Sequence, residues 1–149
     1  MNILVTPEIR VNSYTSGEQS FARVTVLAGG GHVVVWQSPQ DGSGFGVFGQ
    51  RYDAAGAKVG AEFQVNTYTG GDQMYPRVGA LLDGGFIVAY QGPDASLTGV
   101  VAQRFDASGT KVAEFQVNQT TASYQTDSPV VGLMNGGFVI VFYNEGEIT

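Results

Sequence analysis

The sequence predicts an all-β protein built from an internal repeat. Short apolar segments rich in valine, isoleucine and aromatic residues alternate with turns that contain glycine, aspartate or serine. The same motifs return after 54 and then 52 residues, and no segment places apolar residues at helical spacing. Four short antiparallel strands that recur every ~40–50 residues are typical of a β-propeller blade. We therefore expect a β-propeller of four-stranded antiparallel blades.

The repeat is visible in three kinds of segment. VNSYT at 11–15 returns as VNTYT at 65–69 and as VNQTT at 117–121. The apolar runs are HVVVWQ at 32–37, FIVAYQ at 86–91 and FVIVFY at 138–143, and the pair QRYDA at 50–54 and QRFDA at 103–107 is separated by 53 residues. The small changes of spacing fall in loops, as expected when one structural unit is repeated.

The second repeat shows the elements of one unit in order. We expect strands at 76–82, 86–91, 98–105 and 112–118, separated by a hairpin turn at 83–85, a loop at 92–96 and a turn at 106–110. Glycines in the two turns supply the positive φ that such turns require. The continuous apolar runs at 33–36, 87–90 and 138–142 favour strands buried on both faces, as expected for the innermost strands of a propeller.

We interpret residues 1–149 as a single repeat domain of about three blades. Blades are expected at 13–66 and 67–118, with a partial blade at 119–149 and a terminal strand within 1–12. That strand is expected at 8–12, and a short strand at 3–6 is a substitute for a missing third strand. A β-sandwich, a β-prism or a solenoid remains an alternative fold.

The expected number of blades also predicts self-association. Propellers usually contain ~4–8 blades, and an open arc exposes sheet edges. We therefore expect a homo-oligomer, preferably a dimer of about six blades in which a blade is shared between subunits. An excised or designed piece of a longer repeat array is the alternative.

Composition excludes several classes of function. The chain has 7 basic and 13 acidic residues and a net charge of −6, which disfavours nucleic acid and anionic membrane surfaces as partners. It lacks an apolar run of ~18 residues, which argues against membrane insertion, and it begins without a recognisable signal peptide. With no cysteine and one histidine, we expect no disulfide, no metal ion and no cofactor.

The ionisable residues predict a protein that is not an enzyme. The one histidine, His32, stands where the other repeats have Phe86 and Phe138, so we interpret it as a substitute for a packed phenylalanine. Asp53 and Asp106 recur at matching positions before turns and are interpreted as turn-forming carboxylates. A glycoside hydrolase, which needs paired carboxylates, stays as a hypothesis. Its carboxylates would come from Asp53, Asp106, Glu8, Glu62 or Glu114, all of which recur at matching positions, as structural residues do.

Two further sets of recurring residues allow a structural and a binding interpretation. Arg51 and Arg104 follow glutamine on the third strand, where they pack on the sheet or pair with an acid, or else bind an anion or a sugar. Trp36, Tyr90 and Phe142 align on the second strand. We favour a position in the core between blades for these aromatic residues, with a ligand platform as the alternative.

The loop before each first strand is the best candidate for a ligand site. It combines an aromatic ring with amide, carboxylate and guanidinium groups, which is the chemistry of carbohydrate recognition. The candidate residues are Tyr14, Gln19, Arg23, Tyr68, Asp72, Gln73 and Arg77. The third copy keeps Gln125 but loses the Tyr-Thr-x-Gly pattern and the arginine. In the alternative interpretation, the three glutamines satisfy buried backbone groups between blades.

The repeat resembles a known family of sequences. The segments VNTYTGGDQMYPRVGALLDGGFIVAYQ at 65–91 and DGSGFGVFGQRYDAAGAKVGAEFQVN at 41–66 are similar to tandem repeats of very large secreted bacterial proteins, including adhesins and hemolysin-type (RTX) proteins. The resemblance implies an extracellular, propeller-like and non-catalytic module. The nonapeptide calcium motif of those proteins is absent, and DGSGFG at 41–46 is only a loose echo of it.

The function we expect is therefore a non-enzymatic, lectin-like binding or adhesion module of the propeller type. Glycans are the candidate ligands, and repetition of a weak site around a ring would add avidity. The alternative is a structural or assembly protein, or an engineered propeller fragment, without a small-molecule ligand.

Overall fold

The computed structural model describes residues 7–94, 98–119, 124–126, 128–144 and 147–149. The strands in these ranges are β1 Ser20–Val26, β2 His32–Ser38, β3 Gly46–Tyr52, β4 Lys58–Gln64, β5 Met74–Ala80, β6 Phe86–Pro93, β7 Thr98–Phe105, β8 Lys111–Gln116, β9 Gln125–Thr126, β10 Val130–Gly132, β11 Phe138–Ile140, β12 Tyr143–Asn144 and β13 Glu147–Ile148. The same ranges contain no helix, and so none that is long and apolar enough to cross a membrane.

Each of the first two repeats forms one antiparallel sheet of four strands. The strand orders are β1-β2-β3-β4 in the first sheet and β5-β6-β7-β8 in the second, so neighbours in the sequence are neighbours in the sheet. The third repeat contributes the pair β10-β11 and a small sheet of order β13-β12-β9. The prediction of an all-β protein is thus confirmed, and the first two repeats form the four-stranded antiparallel sheets that were expected. The described strands do not close into a ring.

The hairpin between the first two strands of each unit has the same geometry three times. In each turn a leucine amide donates to a glycine carbonyl, as in Leu81 N to Gly85 O at 2.9 Å. In all three turns the residue directly before that glycine is also a glycine, and it lies at φ +83° to +85°. These residues are Gly30, Gly84 and Gly136. A residue with a side chain would be strained there, so these glycines define the turn.

The turns after the third strands are held by the two recurring aspartates. Asp53 Oδ1 accepts hydrogen bonds from the amides of Ala55 at 2.9 Å and Ala57 at 2.8 Å. Asp106 Oδ1 accepts from the Ser108 hydroxyl at 2.6 Å and from the Thr110 amide at 2.9 Å. These bonds, the one from Ser108 foremost, lower the pKa of Asp106. The interpretation of both carboxylates as turn-forming groups is confirmed.

The units stack in chain order around two cores. The face that packs on the next unit is here called the trailing face, and it contains Leu27, Val33 and Val35 in the first sheet and Leu81, Ile87 and Ala89 in the second. The face that packs on the preceding unit is the leading face, and it contains Val78, Ala80, Phe86 and Val88 in the second sheet and Val130, Phe138 and Ile140 in the third unit.

Aromatic stacking confirms the interpretation of His32. In the second sheet the rings of Phe86 and Phe105 stack with centroids 4.6 Å apart and planes 11° apart. At the equivalent positions of the first sheet, His32 stacks on Tyr52 at 4.6 Å and 4°. The imidazole therefore takes the place of a phenylalanine ring in the repeat.

The two recurring arginines have different partners. Arg104 forms an ion pair with Asp83, with 2.6 Å between Nη2 and Oδ2. The pKa of Asp83 is lowered by the Gly85 amide and by this guanidinium. The first repeat has Gly29 in place of the acid, and Arg51 instead donates to the carbonyls of Ala107, at 2.7 Å, and Ser108. Arg51 thereby ties the first sheet to a turn of the second.

Residues 8–12 form no strand within the single chain, and residues 3–6 lie outside the described residues. A strand at 8–12 that completes a blade shared with a second subunit therefore stays a prediction. Two other expectations need correction. The run 138–142 contains only the short strand β11, which is partly exposed. The second strands β2 and β6 are largely buried, as is the third strand β3, but the first strands β1, β5 and β10 are the ones that approach each other. The reason is that glycine and alanine in the first strands allow close contact, as between Gly132 and the backbone of Ala80.

Candidate functional site

The loops at 13–19 and 67–73 are held by the same hydrogen bonds. In the first, Asn12 Nδ2 donates to Gln19 Oε1 at 2.5 Å and to the carbonyl of Tyr14 at 2.6 Å. In the second, Asn66 Nδ2 donates to Gln73 Oε1 and to the carbonyl of Tyr68, both at 2.8 Å. The sequence motif Val-Asn-x-Tyr therefore marks the start of a loop that the asparagine side chain closes.

The glutamines complete these loops from inside. Gln19 Nε2 donates to the carbonyls of Ser16 and Gly17, both at 2.9 Å. Gln73 Nε2 donates to Gly70 at 3.0 Å and Gly71 at 3.3 Å. In the third copy, Gln125 Oε1 accepts from Asn118 at 3.0 Å. The amide hydrogens of Gln19 and Gln73 thus satisfy backbone carbonyls of the loops, as the alternative interpretation expects, whereas Gln125 Nε2 donates to the side chain of Asn144 at 3.2 Å.

The charged candidates are also engaged within the protein. Arg23 Nη1 donates to the carbonyl of Ala22 at 2.8 Å, and Arg77 Nη1 donates to that of Pro76 at 3.3 Å. Asp72 Oδ1 accepts from the amide of Phe45 at 2.9 Å, so its carboxylate joins the loop of the second repeat to a loop of the first. These groups shape the loops.

The two tyrosines remain as candidate contacts with a ligand. Both Tyr14 and Tyr68 are exposed. Tyr68 lies at a pocket of about 90 Å³, which is lined also by Gln73, Tyr90, Gly92, Pro93, Val101 and Glu114. The second repeat alone thus forms an exposed ring beside a small pocket that contains a carboxylate and an amide group.

Glu114 is a residue of this pocket that sequence reasoning treated only as a recurring acid. Its Oε1 accepts the Thr67 amide at 2.7 Å and the hydroxyl of Tyr90. Burial and the adjacent carboxylate raise the pKa of Tyr90 well above its usual value of about 10. The repetition of Glu62 and Glu114 at matching positions was the only available signal for such a role.

The raised pKa of Tyr90 predicts how stability depends on alkaline pH. The unfolded chain loses the phenolic proton near pH 10 while the folded protein keeps it. The contribution of Tyr90 to the free energy of unfolding is therefore fully present below pH 10 and is lost as the pH rises further. The Tyr90→Phe variant is expected to flatten this fall by about 1.4 kcal/mol per pH unit. Urea unfolding between pH 8 and about 11 measures the slopes. Equal slopes for the two proteins would contradict the prediction.

The equivalent place in the first repeat is a wider cleft. A cavity of about 290 Å³ is lined by Asn12, Gln19, Ser20, Ala22 and Trp36. Glu62, the counterpart of Glu114, binds Ser13 and Gln40 instead of the aromatic residue. Among the described residues, neither Ser20 Oγ nor Trp36 Nε1 has a hydrogen-bond partner, although both atoms are buried. The cleft is open because no preceding sheet covers the leading face of the first sheet within the described ranges.

Of the three aligned aromatic residues, Tyr90 lies in the core between the first and second sheets, as we favoured. Trp36 and Phe142 are buried but belong to neither of the two cores, and Trp36 lines the open cleft. Within the part of the chain that the structure describes, no group of three or more histidine, cysteine, aspartate or glutamate side chains is arranged to hold a metal ion.

Comparison of the chain with protein-family models, curated proteins and solved structures found no match.

Proposed function

We propose that this chain is a non-enzymatic binding module of the propeller type whose ligands are glycans. The observation that carries the proposal is the exposed ring of Tyr68 beside a pocket that holds the carboxylate of Glu114. The exposed Tyr14 repeats the aromatic part of this arrangement one unit earlier.

The size of the pocket indicates how a sugar would bind. A volume of about 90 Å³ is too small for a pyranose ring, since one water alone occupies about 30 Å³ of liquid. It accommodates a hydroxyl or hydroxymethyl group, which would donate to Glu114. The apolar face of the sugar would then lie against the Tyr68 ring. Tyr14 would offer a second, similar platform and so add avidity.

The charge of the protein favours neutral glycans. A net charge of −6 repels sulfated or phosphorylated sugars at long range. The polar groups at the pocket are the carboxylate, the phenol groups and the Gln73 amide, none of which is a cation. We therefore infer a neutral oligosaccharide as the ligand class.

The arrangement of the sheets supports the propeller part of the proposal. Sequential four-stranded sheets stack face to face, and their first strands lie side by side. The resemblance to repeats of large secreted bacterial proteins supports an extracellular or cell-surface location.

A glycan array probed with the purified protein tests this function. We expect binding to a subset of neutral oligosaccharides, and titration calorimetry on the best of them to show at least a tenfold weaker affinity for Tyr68→Ala, as for the loss of an aromatic anchor. Tyr124→Ala is the matched control, because Tyr124 is an equally exposed tyrosine in the third copy, which lacks the Tyr-Thr-x-Gly pattern. A flat array, or equal effects of both substitutions, would contradict the proposal.

A structural or assembly role is the second candidate function. Exposed valine and leucine side chains on the two outward sheet faces favour it.

A further inference from the structure

The two interfaces inside the chain repeat one packing pattern. Between the first and second sheets, the trailing residues Val33 and Val35 pack with Phe86 and Val88 of the next leading face. Between the second sheet and the third unit, the corresponding trailing residues Ile87 and Ala89 pack with Val130 of the leading face. A trailing face thus meets a leading face in both cases, and the pattern defines a standard interface between units.

The first sheet presents an uncovered leading face. Val24 pairs with Val34, as Val78 pairs with Val88 in the second sheet. The side chain of Val78 is packed against the core of the preceding interface, whereas Val24 is 63% and Val26 68% exposed. Val24 and Val26 are therefore apolar residues of a face that would normally be covered by a preceding sheet, and no sheet in the described ranges covers it.

The third unit presents an uncovered trailing face. Val139 pairs with Val131, as Ile87 pairs with Gly79 in the second sheet. Leu133, Val139 and Val141 are 36%, 44% and 37% exposed. Their counterparts in both preceding sheets, such as Leu81 and Ile87, are buried. The chain thus carries the two halves of the standard interface on opposite sides.

We propose that the trailing face of the third unit docks on the leading face of the first sheet of a second copy of this chain. This contact would continue the standard interface. Inside the chain, a trailing face always packs on a leading face, and the two uncovered faces are one of each kind. The contact is head to tail, because the two faces differ. Two such contacts between two copies would close a ring of six units with twofold symmetry.

The docked copy would also cover the cleft beside Trp36. Trp36 pairs with Phe48 on the first sheet, in the position that Tyr90 has in the covered second sheet. The buried Ser20 Oγ and Trp36 Nε1, which have no partner in the described chain, would then lie at the interface. Docking therefore completes the surroundings of a site that the single chain leaves open.

Light scattering coupled to size exclusion measures the molar mass over a range of protein concentrations. The wild-type protein is expected to reach the mass of two chains as concentration rises. Val26→Glu places a charge on the leading face and Val139→Glu on the trailing face, and each is expected to raise the dissociation constant at least about thirtyfold. Val112→Glu is the control, because Val112 is an exposed valine on β8, the last strand of the second sheet, and lies on neither of the two proposed docking faces.

A mixture of the two face variants gives the decisive result. Each single variant keeps one intact face, so an equal mixture of Val26→Glu and Val139→Glu restores one of the two contacts and places both glutamates at the other. It is expected to form a one-to-one heterodimer that is weaker than the wild-type dimer but stronger than either variant alone. Circular dichroism is the control for folding of both variants. A heterodimer would also show that both variants are folded, because an unfolded chain has no docking face. A wild-type protein of one-chain mass at all concentrations, or a mixture that fails to associate, would overturn the proposal. The assay contains no sugar, so its outcome is independent of the glycan-binding function.

Discussion

Replacing Phe86 with alanine is expected to lower the free energy of unfolding by about 3–5 kcal/mol. Phe86 is fully buried at the interface between the first and second sheets. Its ring stacks on Phe105, and Phe63 packs on it from the first sheet with centroids 6.3 Å apart. Removal of the ring leaves a cavity that three strands border, and the two stacked sheets cannot both relax to fill it.

Urea unfolding followed by circular dichroism measures this loss as a lower midpoint at an unchanged slope. His32→Ala is the matched control, since His32 occupies the equivalent position and also stacks on one ring. It lies on the leading face of the first sheet, which is uncovered in a single chain, so at protein concentrations where the chain is a monomer its removal is expected to lower stability by at most about 2 kcal/mol. Equal losses at the two positions would show that the sheets do not stack as described.

Replacing Asn66 with alanine is the second change with a large expected effect, a loss of about 2–4 kcal/mol. The buried Asn66 side chain accepts the amide of Val47 at 2.9 Å and donates to Tyr68 and Gln73. Alanine would leave the buried Val47 N–H without a partner and would release the loop at 67–73. An unpaired buried backbone donor is costly because water cannot replace the lost partner.

Asn12→Ala separates the two parts of this effect. Asn12 makes the same two loop bonds in the first repeat, to Tyr14 and Gln19, but no described strand donates to its oxygen. We expect a loss of about 1 kcal/mol for this variant, measured by the same urea unfolding. If Asn12→Ala costs as much as Asn66→Ala, the bond to Val47 is not the dominant contribution.

The strands of the first two repeats could be predicted from the sequence because the pattern of each strand occurs in more than one repeat. The expected strand at 98–105 has the bounds of β7, and 86–91 lies within β6. Glycine at a fixed place in each hairpin and aspartate at a fixed place in each later turn identify the connections. These features depend on residues that are close together in the chain, so the sequence alone is enough to predict them.

Tertiary contacts decide the features that the sequence did not predict. Phe21 and Tyr75 lie at φ 55° and 54°, within a register shift of the first strand in both repeats. A left-handed conformation costs a residue with a side chain about 1–2 kcal/mol. The T-shaped contact of the two rings at 4.7 Å, which joins neighbouring sheets, offsets part of this cost. A one-dimensional pattern contains no sign of that contact.

The structure of the candidate loops could be predicted only in part. The repeated loop and its tyrosines were visible, but the commitment of Gln19 and Gln73 to the loop depends on where their amides point. The bond between Tyr90 and Glu114 joins residues that are 24 positions apart on different strands. Such pairings become visible only once the sheet has fixed the register.

The stacking of one unit on the next has a consequence for how such a chain can evolve. Each sheet contacts only the sheets beside it, so the environment of a unit depends on its immediate neighbours and not on the total number. Duplication or deletion of a whole unit would preserve the kind of contact between the remaining neighbours and change only how many chains close a ring. A copy can also diverge on its own, as histidine in place of phenylalanine at position 32 illustrates. Size and surface chemistry can therefore vary independently by genetic recombination.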